Sequence, residues 1–158
     1  MTRYLPFVVL IAVLAAIAAI TPGTASANDA AVVTSVKKWT VIITPKAQKL
    51  GTFISPNTSS TKALASLKSF TTTARQGAAA ISTTKPSTAN GAKLKLLAKR
   101  AFVNFGKAGE LLIKAVVMVR NGKTEAEVTP VVNQAVTYAN NGSIQLKNAS
   151  TLIRKVGR

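Results

Sequence analysis

The sequence predicts an all-α protein, a four-helix up-down bundle that follows a cleaved signal peptide. Apolar residues recur at steps of three and four in four segments, which is the spacing of amphipathic helices. Breaker residues separate these segments, and no segment shows a convincing strand-like alternation of apolar and polar residues. Four helices joined by short connections favour antiparallel neighbours.

The first 27 residues have the organisation of a secretory signal peptide. Arg3 supplies a basic start, a nearly uninterrupted apolar run extends from Leu5 to Ile20, and Ala25-Ser26-Ala27 ends the segment with small residues. The apolar run is shorter than the roughly 20 residues that cross a bilayer, which argues against the alternative of an uncleaved anchor. We therefore expect cleavage after Ala27 and a single helical bundle domain over 28–158.

Cysteine usage indicates the compartment. The chain contains no cysteine, so its core must form without disulfide bonds. A domain of this length can bury a sufficient core unaided. Export without disulfides is commoner among bacterial proteins than among small eukaryotic secreted domains, so we expect a secreted, periplasmic or cell-envelope protein of a bacterium.

Helix 1 is predicted over Asp29 to Ile54, with Asn28 or Asp29 as its N-cap. Pro45 lies inside this pattern and lacks a backbone donor, so a kink or a split near Thr44 is expected.

Helix 2 is predicted over Ser60 to Thr84, although a run of three threonines weakens its helix propensity. Pro86 ends it, because the residue before a proline avoids helical dihedral angles.

Helix 3 has the clearest pattern, from near Thr88 or Asn90 to Arg120, and Asn121-Gly122 is a good stop. In heptad notation with Leu94 at position a, positions a, d and e form the expected packing face.

Helix 4 opens with a capping box in which Thr124 and Glu127 satisfy each other's free amides. Pro130 is an alternative first turn, and Asn140-Asn141-Gly142 is a possible break within the helix.

The charge balance indicates the kind of partner. Lysine and arginine number 21 against four acidic residues, which gives a formal net charge of +17. Such a charge favours fast and salt-sensitive association with polyanions. The cations are distributed along the whole chain, which fits a folded body with a basic surface better than a flexible basic arm.

Cations recur at every seventh position of helix 3, and they form the first candidate polyanion-binding site. We call Lys93, Arg100, Lys107 and Lys114 the stripe. Two further cations of the same helix, Lys95 and Lys99, and a second cluster at the end of the chain complete the candidate set. The second cluster consists of Arg154, Lys155 and Arg158. The alternative is a solvated edge, on which lysine stems cover apolar surface while Glu110 pairs with Lys107 and Lys114.

Beside the stripe, position c of the heptad is apolar at Leu96, Val103 and Val117. A helix that is apolar nearly all round is normally buried on two sides. Helix 3 is therefore either the central element of the bundle or the carrier of a docking surface for a protein partner or a second copy.

The residue inventory excludes most enzymatic chemistry. Without histidine and cysteine the chain lacks the commonest general base, thiolate nucleophiles and the usual zinc ligands. Four scattered carboxylates do not supply a metal cage, and Glu125 and Glu127 point apart on a helix. We expect no enzyme activity, no cofactor and no metal site, and a Ser-Lys dyad is the one formal alternative.

The leading expectation is an exported non-enzymatic helical protein that associates with anionic envelope polymers or lipid headgroups. The runner-up is a protein-binding or self-associating module, such as a secreted inhibitor or a structural protein, that uses the apolar back of helix 3. A cationic protein that permeabilises membranes is a third hypothesis. Nonspecific association with nucleic acid fits the charge, but the aromatic residues lie mostly at core spacing, which disfavours sequence-specific binding.

Overall fold

The computed structural model describes residues 27–52 and 60–156, which form four α-helices and no strand. The helices are α1 (Ala27–Thr52), α2 (Ser60–Thr83), α3 (Ala89–Arg120) and α4 (Glu125–Val156). The all-α class is thus confirmed for these residues. The predicted signal peptide lies almost wholly outside the described residues, as do the first interhelical connection and Arg158.

α3 is the centre of the helical bundle. It contacts each of the other three helices, most extensively α4 and α2, whereas α1 packs mainly on α2. Gly77 of α2 lies against Phe102 of α3, and Thr71 lies against Gly109, so these two helices run antiparallel. Asn104 of α3 bonds to Gln145 of α4, and Gly142 lies against Phe105 and Ala101. The register of those contacts makes α3 and α4 antiparallel as well.

The buried side of α3 is rotated toward α2 relative to the predicted face. Position a is buried throughout, as expected, at Leu94, Ala101, Ala108 and Ala115. The four residues at position d are only half-buried, whereas Phe102 at position b is fully buried. The difference arises because α2 covers the flank of α3 that carries Phe102, opposite the flank that α4 covers.

Two phenylalanines of α3 pack against the neighbouring helices. Phe102 packs on Gly77 of α2, and Phe105 packs on Gly142 of α4. The rings of Phe102 and Phe105 meet edge to face with their centroids 6.2 Å apart, and Phe105 meets Phe70 in the same way at 6.3 Å. These contacts form the centre of the main hydrophobic cluster.

α4 continues through the possible break at Gly142. This glycine serves close helix packing, because a Cβ there would lie 2.7 Å from Cε1 of Phe105 and 3.1 Å from the carbonyl oxygen of Ala101. A position that looks like a breaker in the sequence is therefore a point of close contact.

Both internal prolines are accommodated in continuous helices. α1 passes through Pro45 without a split, and α4 begins at Glu125, one turn before Pro130. Each proline deprives one carbonyl, four residues earlier, of its usual donor. Those carbonyls belong to the exposed residues Val41 and Ala126, at positions where water can hydrogen-bond them.

Both ends of α3 and the start of α4 follow the predicted capping chemistry. Thr88 caps α3 by accepting a hydrogen bond from the backbone N–H of Gly91 at 3.0 Å. α3 ends before Gly122, which has a φ of 74°. In the capping box of α4, the backbone N–H of Thr124 donates to Glu127 at 2.8 Å and the backbone N–H of Glu127 donates to the Thr124 hydroxyl at 3.4 Å.

Asp29 lies inside the first turn of α1 and not before it, so the prediction that Asn28 or Asp29 is the N-cap residue was wrong. α1 begins at Ala27, so Asp29 lies inside its first turn, and its carboxylate accepts hydrogen bonds from the segment that leads into α3. The donors include the backbone N–H of Ser87, at 2.8 Å, and the hydroxyl of Thr88. Asp29 thereby ties α1 to the N-terminus of α3, where a negative charge is favoured.

The Asp29 carboxyl is buried yet ionised. Its hydrogen bond from the Thr88 side chain lowers its pKa, burial opposes that effect, and the backbone N–H groups of Ser87 and Thr88 lower the pKa further. The folded state therefore binds a proton to Asp29 less readily than the unfolded chain does. The stability that this difference contributes is complete above the ordinary pKa of about 3.9 and is lost as pH falls through the lower folded value.

We predict that Asp29→Asn lowers the free energy of unfolding by about 1 to 3 kcal/mol at pH 7, because charge-assisted hydrogen bonds are lost. The difference from the wild type should shrink toward pH 3. Urea denaturation at both pH values measures this. Glu125→Gln, which removes an exposed carboxylate, is the control, and an equal pH dependence of the wild type and Asp29→Asn would contradict the assignment.

We further predict that Gly142→Ala destabilises the protein by about 1 to 3 kcal/mol, because the added methyl group overpacks the contact with Phe105. Alanine has the higher helix propensity, so a local effect alone would give the opposite sign. Gly106→Ala is the matched control, because its Cβ would meet nothing closer than 3.6 Å. A melting temperature of Gly142→Ala that equals or exceeds that of Gly106→Ala in thermal denaturation would contradict the packing argument.

Candidate functional site

The four stripe cations lie on one side of α3, and all of them are exposed. Seven residues of helix rise about 10.5 Å, so the stripe extends over roughly 31 Å. α2 and α4 cover the flanks of α3 and leave this outer face to solvent. The structure therefore places all four predicted residues together on an accessible surface.

No stripe cation pairs with a carboxylate in 27–52 or 60–156. The ion pairs found there join Arg75 to Glu110 and Lys123 to Glu127. The pairing of Glu110 with Lys107 and Lys114, which belonged to the solvated-edge alternative, does not occur. Glu110 instead faces α2 and accepts two hydrogen bonds from Arg75, at 2.8 and 3.1 Å. The one acidic residue of α3 thus leaves the stripe charge uncompensated.

Lys107 also contacts an aromatic ring. Its ammonium lies 5.2 Å from the centroid of Tyr138 on α4, within the range of a cation–π interaction. Sequence reasoning missed this contact, because Tyr138 was grouped with aromatic residues at core spacing. The interaction orients Lys107 and leaves its charge on the outer face.

The two additional cations of α3 differ in placement. Lys99 is exposed and lies next to the stripe residue Arg100. Lys95 is half-buried, and its ammonium donates to the carbonyl oxygen of Thr84 just after the end of α2. Lys95 therefore satisfies a helix-terminal carbonyl at the α2–α3 connection.

The second predicted cluster is only partly described. Lys155 is exposed near the end of α4, the side chain of Arg154 is not described, and Arg158 lies outside the described residues. Gln145 of α4 faces Asn104 of α3, and the two helices are antiparallel. Lys155, ten residues after Gln145, is therefore level with Leu94, ten residues before Asn104. Lys155 thus lies at the same end of the molecule as Lys93.

The apolar residues at position c are partly accessible. Leu96 is 46% exposed, Val103 39% and Val117 41%. α3 is therefore the central element, as the first interpretation predicted, and its back is partly open to solvent. The docking surface of the second interpretation stays a prediction. Aliphatic side chains and cations alternate along this outer face.

A shallow groove lies on the outer face of α3 at its border with α4, and it includes the stripe residue Arg100. It is lined by Leu96, Lys99, Arg100, Val103, Asn104 and Gln145. The side-chain amide of Asn104 donates to the side-chain oxygen of Gln145 at 3.0 Å, and the pair is partly buried. Sequence reasoning assigned Asn104 to the packing face and did not single out Gln145, although a polar residue at position d of a heptad is itself unusual.

The described residues contain little that resembles a catalytic or metal-binding centre. No group of three or more potential metal ligands occurs in them. A contact of the Ser-Lys type does occur, between the ammonium of Lys46 and the hydroxyl of Ser69 at 2.6 Å, on an exposed surface. Ser69 lies inside α2, where neighbouring backbone N–H groups are already bonded to carbonyls, so they offer no oxyanion site.

Across the described ranges, no helix combines the length and the apolarity required to cross a bilayer.

Comparison with protein-family models, curated proteins and solved structures finds no match to this chain.

Proposed function

We propose that the chain is an exported, non-enzymatic protein, a cleaved signal peptide followed by a four-helix up-down bundle. Its basic surface associates with anionic envelope polymers or lipid headgroups. One observation carries this proposal: four exposed cations follow one side of α3, and no carboxylate among the described residues pairs with them.

The arrangement suits an extended ligand better than a single small anion. One exposed lysine attracts an anion weakly in water, because the high dielectric constant reduces the Coulomb energy at 4 Å to about 1 kcal/mol. A ligand with many charges engages cations spread over roughly 31 Å at the same time and releases its counterions. Affinity then accumulates from weak contacts and falls steeply with salt.

The solvated-edge interpretation accounts less well for the charge pattern. A surface that serves solubility alone usually intersperses cations and anions, because charges of one sign repel each other. Here the one acidic residue on α3 bonds to Arg75 on α2. The stripe therefore keeps a self-repulsive arrangement that an anionic partner would relieve.

We predict that changing Lys93, Arg100, Lys107 and Lys114 together to Gln weakens binding to anionic polymers or to phosphatidylglycerol vesicles by about tenfold or more at low salt. The dependence of the binding constant on salt should also become shallower, because fewer counterions are released. Co-sedimentation at two salt concentrations measures both effects.

The matched control changes Lys38, Lys68, Lys85 and Lys147 to Gln, four exposed cations that lie off the outer face of α3. It removes the same net charge. Equal losses in the two variants, or retention of binding by the stripe variant, would contradict the proposal that the stripe is the binding surface.

The partial exposure of Leu96, Val103 and Val117 favours a second candidate function, a protein-binding or self-associating module. A dimer through this face would bring two cationic surfaces together, so it requires the aliphatic contacts to outweigh that repulsion.

For this second function, analytical ultracentrifugation should show a dimer that dissociates when Leu96 and Val103 are both changed to Lys. A wild-type protein that remains monomeric at every concentration and at high salt would argue against self-association. High salt is the critical condition, because it screens the repulsion between the stripes.

A further inference from the structure

We infer that the groove between α3 and α4 binds one unit of an anionic polysaccharide. A hydroxyl-bearing sugar ring contacts the Asn104–Gln145 amide pair while its carboxylate or phosphate lies against Lys99 and Arg100. This inference rests on the proposed function for its charge attraction, and it adds the chemical class of the ligand.

The amide pair supplies hydrogen-bonding groups of both kinds. The bond from Asn104 to Gln145 uses one donor and one acceptor. The side-chain oxygen of Asn104 and the side-chain NH₂ of Gln145 form no other hydrogen bond with the described residues. An acceptor and a donor thus remain side by side at the groove.

A hydroxyl group matches this pair, because it donates one hydrogen bond and accepts others. A phosphate or a carboxylate only accepts, so it cannot use the Asn104 oxygen. The amide pair therefore favours a polyhydroxylated chain over an anionic polymer without hydroxyl groups.

The charge and the walls of the groove complete the match. Lys99 and Arg100 are both exposed, and they line the same groove as the amide pair, which adds positive charge to it. Leu96 and Val103 form aliphatic walls against which the C–H face of a sugar ring can pack. One unit thus meets a cation, a hydrogen-bonding pair and an apolar surface together.

The same features disfavour the other polyanions. None of the six lining residues is aromatic, so an unpaired nucleobase has no ring on which to stack. A bilayer presents a broad surface, which would reach the exposed stripe cations more readily than Asn104 and Gln145, because both amides are only partly exposed. A second copy of the chain would add its own cations.

The test compares polymers that carry the same anion with and without hydroxyl groups. Alginate is paired with polyacrylate, and phosphorylated dextran is paired with polyphosphate, at matched charge density. The wild type should bind at least one polysaccharide up to about tenfold more tightly than its hydroxyl-free counterpart, as expected for the one hydrogen bond to the Asn104 oxygen that only a hydroxyl group can donate.

Changing Asn104 and Gln145 together to Leu should abolish this preference, and it should weaken binding of the polysaccharide more than binding of the hydroxyl-free polymer. If the leucines disturb the fold, a second variant with Ala at both positions repeats the test. Circular dichroism establishes which variants are helical. The matched control, Asn133→Leu with Asn148→Leu, removes two exposed amides of α4 outside the groove and should keep the preference.

Equal affinity for both members of each polymer pair, or a preference that survives both amide variants, would overturn the inference and leave the stripe proposal intact. Tighter binding to phosphatidylglycerol vesicles than to either polysaccharide would also overturn it. Absence of salt-sensitive binding to every polyanion would defeat the proposed function, and the inference with it.

Discussion

The close packing of α3 between α2 and α4 is the constraint on which the rest of the structure depends. Phe102 fits against Gly77 on one flank and Phe105 fits against Gly142 on the other, so both neighbours approach closely. A helix covered on two flanks has one side left for solvent. That side carries Lys93, Arg100, Lys107 and Lys114, and the same packing that forms the core therefore also presents the stripe.

The use of the few carboxylates explains why the stripe stays unpaired. Asp29 accepts hydrogen bonds at the entry to α3, Glu110 bonds to Arg75, and Glu127 bonds to Lys123 and to the capping residue Thr124. Each of these contacts connects helices or completes a helix end. The structural contacts of these acids thus leave the outer face of α3 strongly positive, which is the physical basis of the proposed affinity for polyanions.

In the function that we propose, the outer face of α3 combines two kinds of recognition. The stripe attracts negative charge over a long distance but has little geometric selectivity, because exposed lysines are mobile and strongly hydrated. The Asn104–Gln145 pair acts over a short distance and is held by its own hydrogen bond across the helix interface. Long-range attraction followed by short-range selection would let one surface bind a polymer quickly and still distinguish hydroxylated chains from other polyanions.

Local rules of the sequence determined the four helices, the capping residues Thr88 and Thr124, and the exposure of the stripe. Each depends on residues within one or two turns of each other, where helical spacing and capping chemistry act. Only the tertiary structure decided the partners of Asp29 and Glu110, the role of Gly142 and the pairing of Asn104 with Gln145. Those contacts depend on how closely neighbouring helices approach and how far each is rotated, and the spacing of residues along one helix does not contain that information.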